Sequence, residues 1–129
     1  MSKLESHSTG IGDYPALVVV DMCKAFIDSS SPLGFECDEL IQANINLVNK
    51  FRLNKLPVIF TTTIYRNASE ASVFRSKIPA LNILEPESDA ITFIDDLAPL
   101  KDEILIEKKF ASAFFQTKLT NSLLKIQAD

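Results

Sequence analysis

The sequence has a single histidine, His7, only two cysteines, Cys23 and Cys37, and no surplus of basic residues. Each shortage removes a class of protein. Thirteen Lys and Arg residues against seventeen Asp and Glu leave a net charge of -4, and the cations are scattered, so no basic face exists for a phosphate backbone. Two cysteines so close in sequence do not make a secreted disulfide framework, and both read as free thiols. His7 lies in a polar stretch, Met1 to Gly12, that has no periodicity and reads as a flexible tail ahead of one domain over 13–129. Long apolar runs are missing too. Pro15 to Val20 is far too short to span a bilayer, and the N-terminus lacks the charged start and apolar core of a signal peptide. The expectation is a cytoplasmic protein with no membrane or nucleic-acid partner. Neither repeats nor low-complexity segments are present.

What is present is the balance of an ordinary globular domain, 47% hydrophobic and 23% charged, in a chain long enough to bury a real core. Ala16-Leu17-Val18-Val19-Val20 is a continuous, largely β-branched run, the mark of a strand buried on both faces of a parallel sheet. From Asp38 to Asn54 the apolar residues Ile41, Ile45, Val48 and Phe51 follow helical spacing, with Asp38 placed to cap the start. Pro57 then opens a second β-rich run, Val58 to Tyr65. Strand, helix and strand in this order predict a right-handed crossover. Arg66 to Glu87 shows no clear period and reads as a long excursion from the sheet, where function often resides. Ile104-Leu105-Ile106 is a third strand, and Phe115, Leu119, Leu123 and Ile126 set out a second helix over Ser112 to Ile126. The fold class is therefore α/β, with a parallel sheet between helices.

Two ionisable residues fall at strand ends, Asp21 after the first and Lys108 just beyond the third. Ligands of open parallel sheets bind at the carboxyl ends of the strands, so both stand where sites form. On position alone, Asp21 could equally cap the following turn, and Lys108 could be one solvated charge among several.

The neighbouring residues carry more. Val18-Val19-Val20-Asp21-Met22, followed by Phe26 and Ser31-Pro32-Leu33, resembles the opening motif of the isochorismatase-like hydrolases. Glu107-Lys108-Lys109-Phe110-Ala111-Ser112-Ala113-Phe114, with Thr117 and Leu119, resembles their second motif, in which a lysine stands four residues before Ser-Ala-Phe. That spacing selects Lys108 over Lys109. Phe74-Arg75-Ser76-Lys77-Ile78-Pro79 is similar to the branch containing N-carbamoylsarcosine and maleamate amidohydrolases.

The resemblance implies a three-layer α/β/α fold of sheet order 3-2-1-4-5-6 and an Asp/Lys/Cys triad that cleaves a C–N bond of a small amide or N-carbamoyl compound. Asp21 and Lys108 take the first two places. The cysteine of the family follows a fourth strand, and these 129 residues end after the third strand and second main helix, so this chain alone is expected to be inactive. Cys23, on the turn after Asp21, is the nearest stand-in. Phe26 and Phe114 would shape an apolar wall over the substrate, with core packing as the plainer alternative. Arg75 and Lys77 could hold a substrate carboxylate or simply lie in a solvated loop. Some members hold a metal through histidines after the second strand, but Tyr65 to Phe74 contains none, so neither metal nor cofactor is expected. Two rivals remain: a catalytically dead relative kept as a binding or assembly module, and a domain completed by a separate C-terminal half; the partners expected are a homo-oligomer or that complementary half, besides the small amide.

Overall fold

A computed structural model describes residues 10–129, so His7 and most of the N-terminal stretch lie outside the described residues. Three strands, β1 (Leu17–Val20), β2 (Val58–Thr63) and β3 (Ile104–Lys108), form a parallel sheet in the order β1-β2-β3. Leu17 pairs with Val58 and Val20 with Thr61, while Ile59 pairs with Ile104 and Thr63 with Lys108. All three strands therefore point their carboxyl ends to the same edge, and Asp21 and Lys108 emerge there on either side of Thr63.

Two helices cover opposite faces of the sheet, which gives three layers. Helix α2 (Asp38–Leu53) lays Ile41, Ile45, Val48 and Phe51 against Val19, Val58 and Phe60. Helix α4 (Leu119–Lys125) buries Leu119, with Leu123 and Ile126 beside it, against Ile59 and Ile106. The alternation of side chains along β2 makes this possible, since Ile59 and Phe60 face opposite layers. All six residues of β2 are buried.

Asp38 lies inside the first turn of α2, where its charge is favoured by the helix dipole, and Cys37 holds the N-cap position without a side-chain capping bond, its thiol donating instead to Ile27 O. The helix closes with Lys55 at φ 57°, where the Lys55 N–H donates to Arg52 O and the Leu56 N–H to Phe51 O. This pair of bonds satisfies the last carbonyls and turns the chain toward β2. Helix α4 begins at Leu119, seven residues later than the periodicity predicts. Gln116 takes a left-handed φ of 54°, and the Thr117 hydroxyl accepts the Leu119 N–H, so 112–118 forms turns instead of helix.

Past the strand ends lies a third packed region. One-turn helix α1 (Lys24–Ile27) and the excursion after β2, which contains α3 (Ser72–Lys77) and a 3-10 turn at Pro79–Ile83, pack around Cys23, Tyr65, Leu81 and Leu84. At the far end Asp129 donates its N–H to Tyr14 O, and its carboxylate accepts the Asp13 and Tyr14 N–H groups, beside the approach to β1.

Candidate active site

Asp21 leaves β1 with a left-handed φ of 56°, a conformation that aspartate tolerates better than most side chains. The turn aims its carboxylate along the sheet edge toward β3, and Lys108 Nζ lies 2.7 Å from Asp21 Oδ2. Lys108 closes β3, and its side chain is only 2% exposed. A buried ammonium requires partners for all its protons. Lys108 finds three, because Nζ also donates to Phe110 O at 2.8 Å and to Ala111 O at 3.1 Å.

The other carboxylate oxygen is held by β2. Thr63 Oγ1 donates to Asp21 Oδ1 at 3.2 Å, and the Asp21 N–H donates to Thr61 Oγ1 at the same length. Thr61 and Thr63 share one face of β2, so their alternation delivers two hydroxyls to one carboxylate. Asp21 remains 21% exposed, which leaves part of the carboxylate open to solvent beside its partners.

Lys109, one residue on, has a different task. Its Nζ pairs with Glu70 Oε2 and Glu107 Oε1, each at 2.8 Å, and donates to Ile64 O. Tyr65 Oη donates back to Lys109 O at 2.7 Å. These contacts clamp the ends of β2 and β3 together beyond the last ladder pair. The two adjacent lysines are thus separated by direction, Lys108 toward Asp21 and Lys109 toward the excursion.

Asp21, Thr63, Tyr65 and Lys108 form the polar end of a cavity of about 280 Å³. Its remaining walls are mainly Phe26, Leu33, Phe74, Ile78, Leu81 and Phe110. Leu33 reaches it through a tight turn over 28–34, where Gly34 approaches the Asp28 carbonyl so closely that a Cβ would collide with it. Phe26 lines the cavity and Phe114 does not. The turns over 112–118 leave Phe114 58% exposed, and Phe110, stacked edge-on with Phe115 and tilted against Phe74, supplies the aromatic surface on that side. Phe74, Ile78 and Leu81 come from the aperiodic excursion, where nothing in the spacing marks them as cavity walls.

Arg75 and Lys77 also lie away from the cavity lining. The Arg75 guanidinium sits 4.6 Å from the Tyr65 ring centroid and donates to Asn82 Oδ1, Asn67 O and Glu70 O. Its role is to fold the excursion. Both cysteines are buried. Burial pushes the Cys23 thiol up to about 11, and the Asp21 carboxylate adds to the rise, so Cys23 stays a neutral thiol near pH 7. Among the described residues no group of three or more His, Cys, Asp or Glu side chains is placed to hold a metal ion. No helix among them is long and apolar enough to cross a membrane.

A parallel sheet between two helical layers, with a carboxylate, a buried lysine and an apolar cavity at the carboxyl ends of its strands, defines a three-layer α/β domain of the kind that holds small ligands at that edge. The chain belongs to the isochorismatase family, whose domain model matches residues 15–129. It is 34% identical over 118 residues to an N-carbamoylsarcosine amidase from an Arthrobacter species, covering 85% of this chain and 44% of that protein. Among solved structures, a cysteine hydrolase from Pseudomonas syringae pv. phaseolicola superposes with a TM-score of 0.80 at 27% identity, covering 95% of this chain and 62% of the other. An N-carbamoylsarcosine amidase from Thermoplasma acidophilum gives 0.65 at 25% identity, covering 90% of this chain and 64% of the other. The chain thus spans less than half the length of the amidase from Arthrobacter and under two thirds of each of these structures.

Proposed function

We propose that this chain carries the Asp/Lys part of a cysteine hydrolase that cleaves the C–N bond of a small amide or N-carbamoyl compound. The observation that supports it most is the Asp21–Lys108 pair, 2.7 Å apart at the mouth of an apolar cavity. In this reading the nucleophilic cysteine belongs to sequence beyond these 129 residues. Asp21 takes the thiol proton, and the thiolate attacks the carbonyl carbon. Lys108 holds the Asp21 charge in place and adds positive potential where the tetrahedral oxyanion forms. The C–N bond then breaks as the departing nitrogen takes the proton from Asp21. Water attacks the remaining thioester and gives a proton to Asp21; as the C–S bond breaks, Asp21 returns that proton to the departing sulfur, releasing the acid and restoring the thiol and the Asp21 carboxylate.

Phe26 and Phe110 would form the wall over the substrate. A further part would also cover β1, whose outer edge has no strand beside it among the described residues, whether it arrives in the same polypeptide or in a separate one. The second reading, a catalytically silent module for binding or assembly, draws on the burial of both cysteines, which leaves no accessible thiol in the described residues.

The test is amide hydrolysis by the complete protein containing these residues. Asp21→Asn and Lys108→Ala should each abolish turnover, and Lys109→Ala should keep most of it. Loss in Lys109→Ala with retention in Lys108→Ala would reverse the lysine assignment. The 129-residue chain should show no activity above background on N-carbamoyl amino acids or maleamate, and turnover that disappears in Cys23→Ala would restore Cys23 as nucleophile.

A further inference from the structure

We infer that Thr63 is a positioning residue for Asp21: its hydroxyl fixes the plane of the acceptor carboxylate, so that turnover depends on a hydroxyl at position 63 and substrate affinity does not. The effect on turnover rests on the hydrolase reading, and the orientation rests on the geometry alone.

An aspartate side chain ends in a torsion that is broad and roughly two-fold, so its own rotamer preference does not orient the carboxylate. Nor does Lys108. An ammonium is a compact point charge on a flexible stem, and its contact with Oδ2 at 2.7 Å fixes one oxygen while the other remains free to turn about it. A second fixed point is needed, and Thr63 supplies it by donating to Oδ1 at 3.2 Å.

Both holders are themselves held. Thr63 and Lys108 are paired across the β2–β3 ladder, so the sheet sets the spacing of the two groups that grip the two oxygens. Thr63 is buried and β-branched, which stiffens its first torsion, and Lys108 is anchored by Phe110 O and Ala111 O. Thr61 acts elsewhere. Its hydroxyl accepts the Asp21 N–H at 3.2 Å and stands 3.5 Å from Oδ1, at the outer limit of a hydrogen bond, so it secures the left-handed backbone of Asp21 and not the carboxylate plane. A proton acceptor must meet its donor within hydrogen-bond reach, and the lone pairs that Asp21 still offers are aimed only when both oxygens are pinned.

The neighbouring residue gives the control. Thr62 faces the opposite layer of the sheet, and its hydroxyl is buried with no hydrogen-bond partner among the described residues.

The experiment uses the complete protein containing these residues, with N-carbamoylglycine and maleamate as substrates. Thr63→Val keeps the shape of the side chain and removes the hydroxyl, so kcat should fall about tenfold or more with KM nearly unchanged. Thr63→Ser should keep most of kcat. Thr62→Val should leave kcat as it is, which separates loss of the bonded hydroxyl from any general effect of valine in this strand. Crystal structures of the unaltered protein and of Thr63→Val read the orientation without turnover: the Asp21 carboxylate should take one orientation in the first and turn, or divide between two, in the second. An unaltered kcat in Thr63→Val would overturn the inference, as would a Thr63→Ser variant no better than Thr63→Val, or a carboxylate that keeps its orientation without the hydroxyl. A rise in KM in place of a fall in kcat would overturn it too, by making Thr63 a substrate contact. The hydrolase reading fails separately. If Asp21→Asn retains turnover, or the complete protein hydrolyses neither amide, that reading is sunk, and the carboxylate orientation alone decides whether Thr63 positions Asp21.

Discussion

Strands β1 and β2 lie side by side in one sheet, yet they are built differently. Every residue of β2 is buried, covered by α2 on one face and α4 on the other and paired on both edges. Of the four residues of β1 only Val19 is buried, and Val20 is 45% exposed. The candidate site straddles this contrast. Lys108 and the two threonine hydroxyls stand on the side that packing holds still, and Asp21 stands at the end of the half-covered strand. A site of this kind has its donors positioned in advance and its acceptor dependent on whatever covers β1.

The sharpest way to break the comparison is to empty one side of it. Phe60→Ala removes a fully buried ring from beneath α2 and should destabilise the protein by about 3–5 kcal/mol, while Val20→Thr should stay within about 0.5 kcal/mol. Urea unfolding monitored by circular dichroism measures both. Hydrogen exchange gives the same contrast residue by residue. The Leu17 N–H donates to Pro57 O, so alternation along a parallel strand turns the Val18 and Val20 N–H groups toward the open edge. In the 129-residue chain those two amides should exchange far faster than Val19 and than any amide of β2 paired to β3. Strong protection at Val18 and Val20 would mean that another strand already covers this edge.

The pair that bridges the two sides is the next test. Lys108 is nearly inaccessible and Asp21 is not, so the ion pair is only partly removed from solvent. A double-mutant cycle between Asp21→Asn and Lys108→Met should return a coupling of about 2 kcal/mol, less than a wholly buried pair because water still reaches the carboxylate. A coupling below about 0.5 kcal/mol would show that Asp21 is held by Thr63 and the backbone, with Lys108 merely near it.

Much of this arrangement is legible in the sequence, for reasons that also explain what is not. The β-branched run before Asp21, the period of Ile41, Ile45, Val48 and Phe51, and the Pro57 boundary are local signals, and the observed strands and α2 agree with them within one or two residues. The late start of α4 depends on Gln116 adopting a left-handed conformation, which no spacing reveals. That shift also carries Phe114 out to solvent and leaves Phe110 on the cavity. Phe74, Ile78 and Leu81 become cavity walls only because Glu70 and Arg75 fold the excursion back on Lys109 and Tyr65, contacts between residues up to 39 positions apart in the sequence. Periodicity cannot register a wall made of irregular chain. The exposure of Val20 is different again, since the same apolar run serves a central strand or an edge, and only its neighbours decide which.

The smallest expected effect concerns the ionic network that fastens the well-packed side. The Arg66 guanidinium, and after it Lys109, hold the Glu107 carboxyl at about 2, well below its ordinary value of 4.5, against the opposing effect of partial burial. A carboxyl lowered on folding contributes stability that is fully present above its unfolded value and disappears as the pH falls through its folded value. For Glu107 that window runs from about pH 4.5 down to about pH 2. Stability should therefore decline through this range, and Glu107→Gln should flatten the decline without abolishing it, because the Glu70 carboxyl is also lowered by its hydrogen bond with Lys109. The magnitude should be modest, since Arg66 is more than half exposed and water screens the pair. Urea midpoints measured at pH 5, 4, 3 and 2.5 for both proteins would decide the matter, and parallel curves would remove the network from any account of stability. If the curves diverge, exchange at Thr63 and Lys108 should quicken in acid before that of Phe60 does. The stiff side would then be fastened twice, by apolar packing along the strands and by charge at the end where the site lies, and only the second fastening would yield to pH.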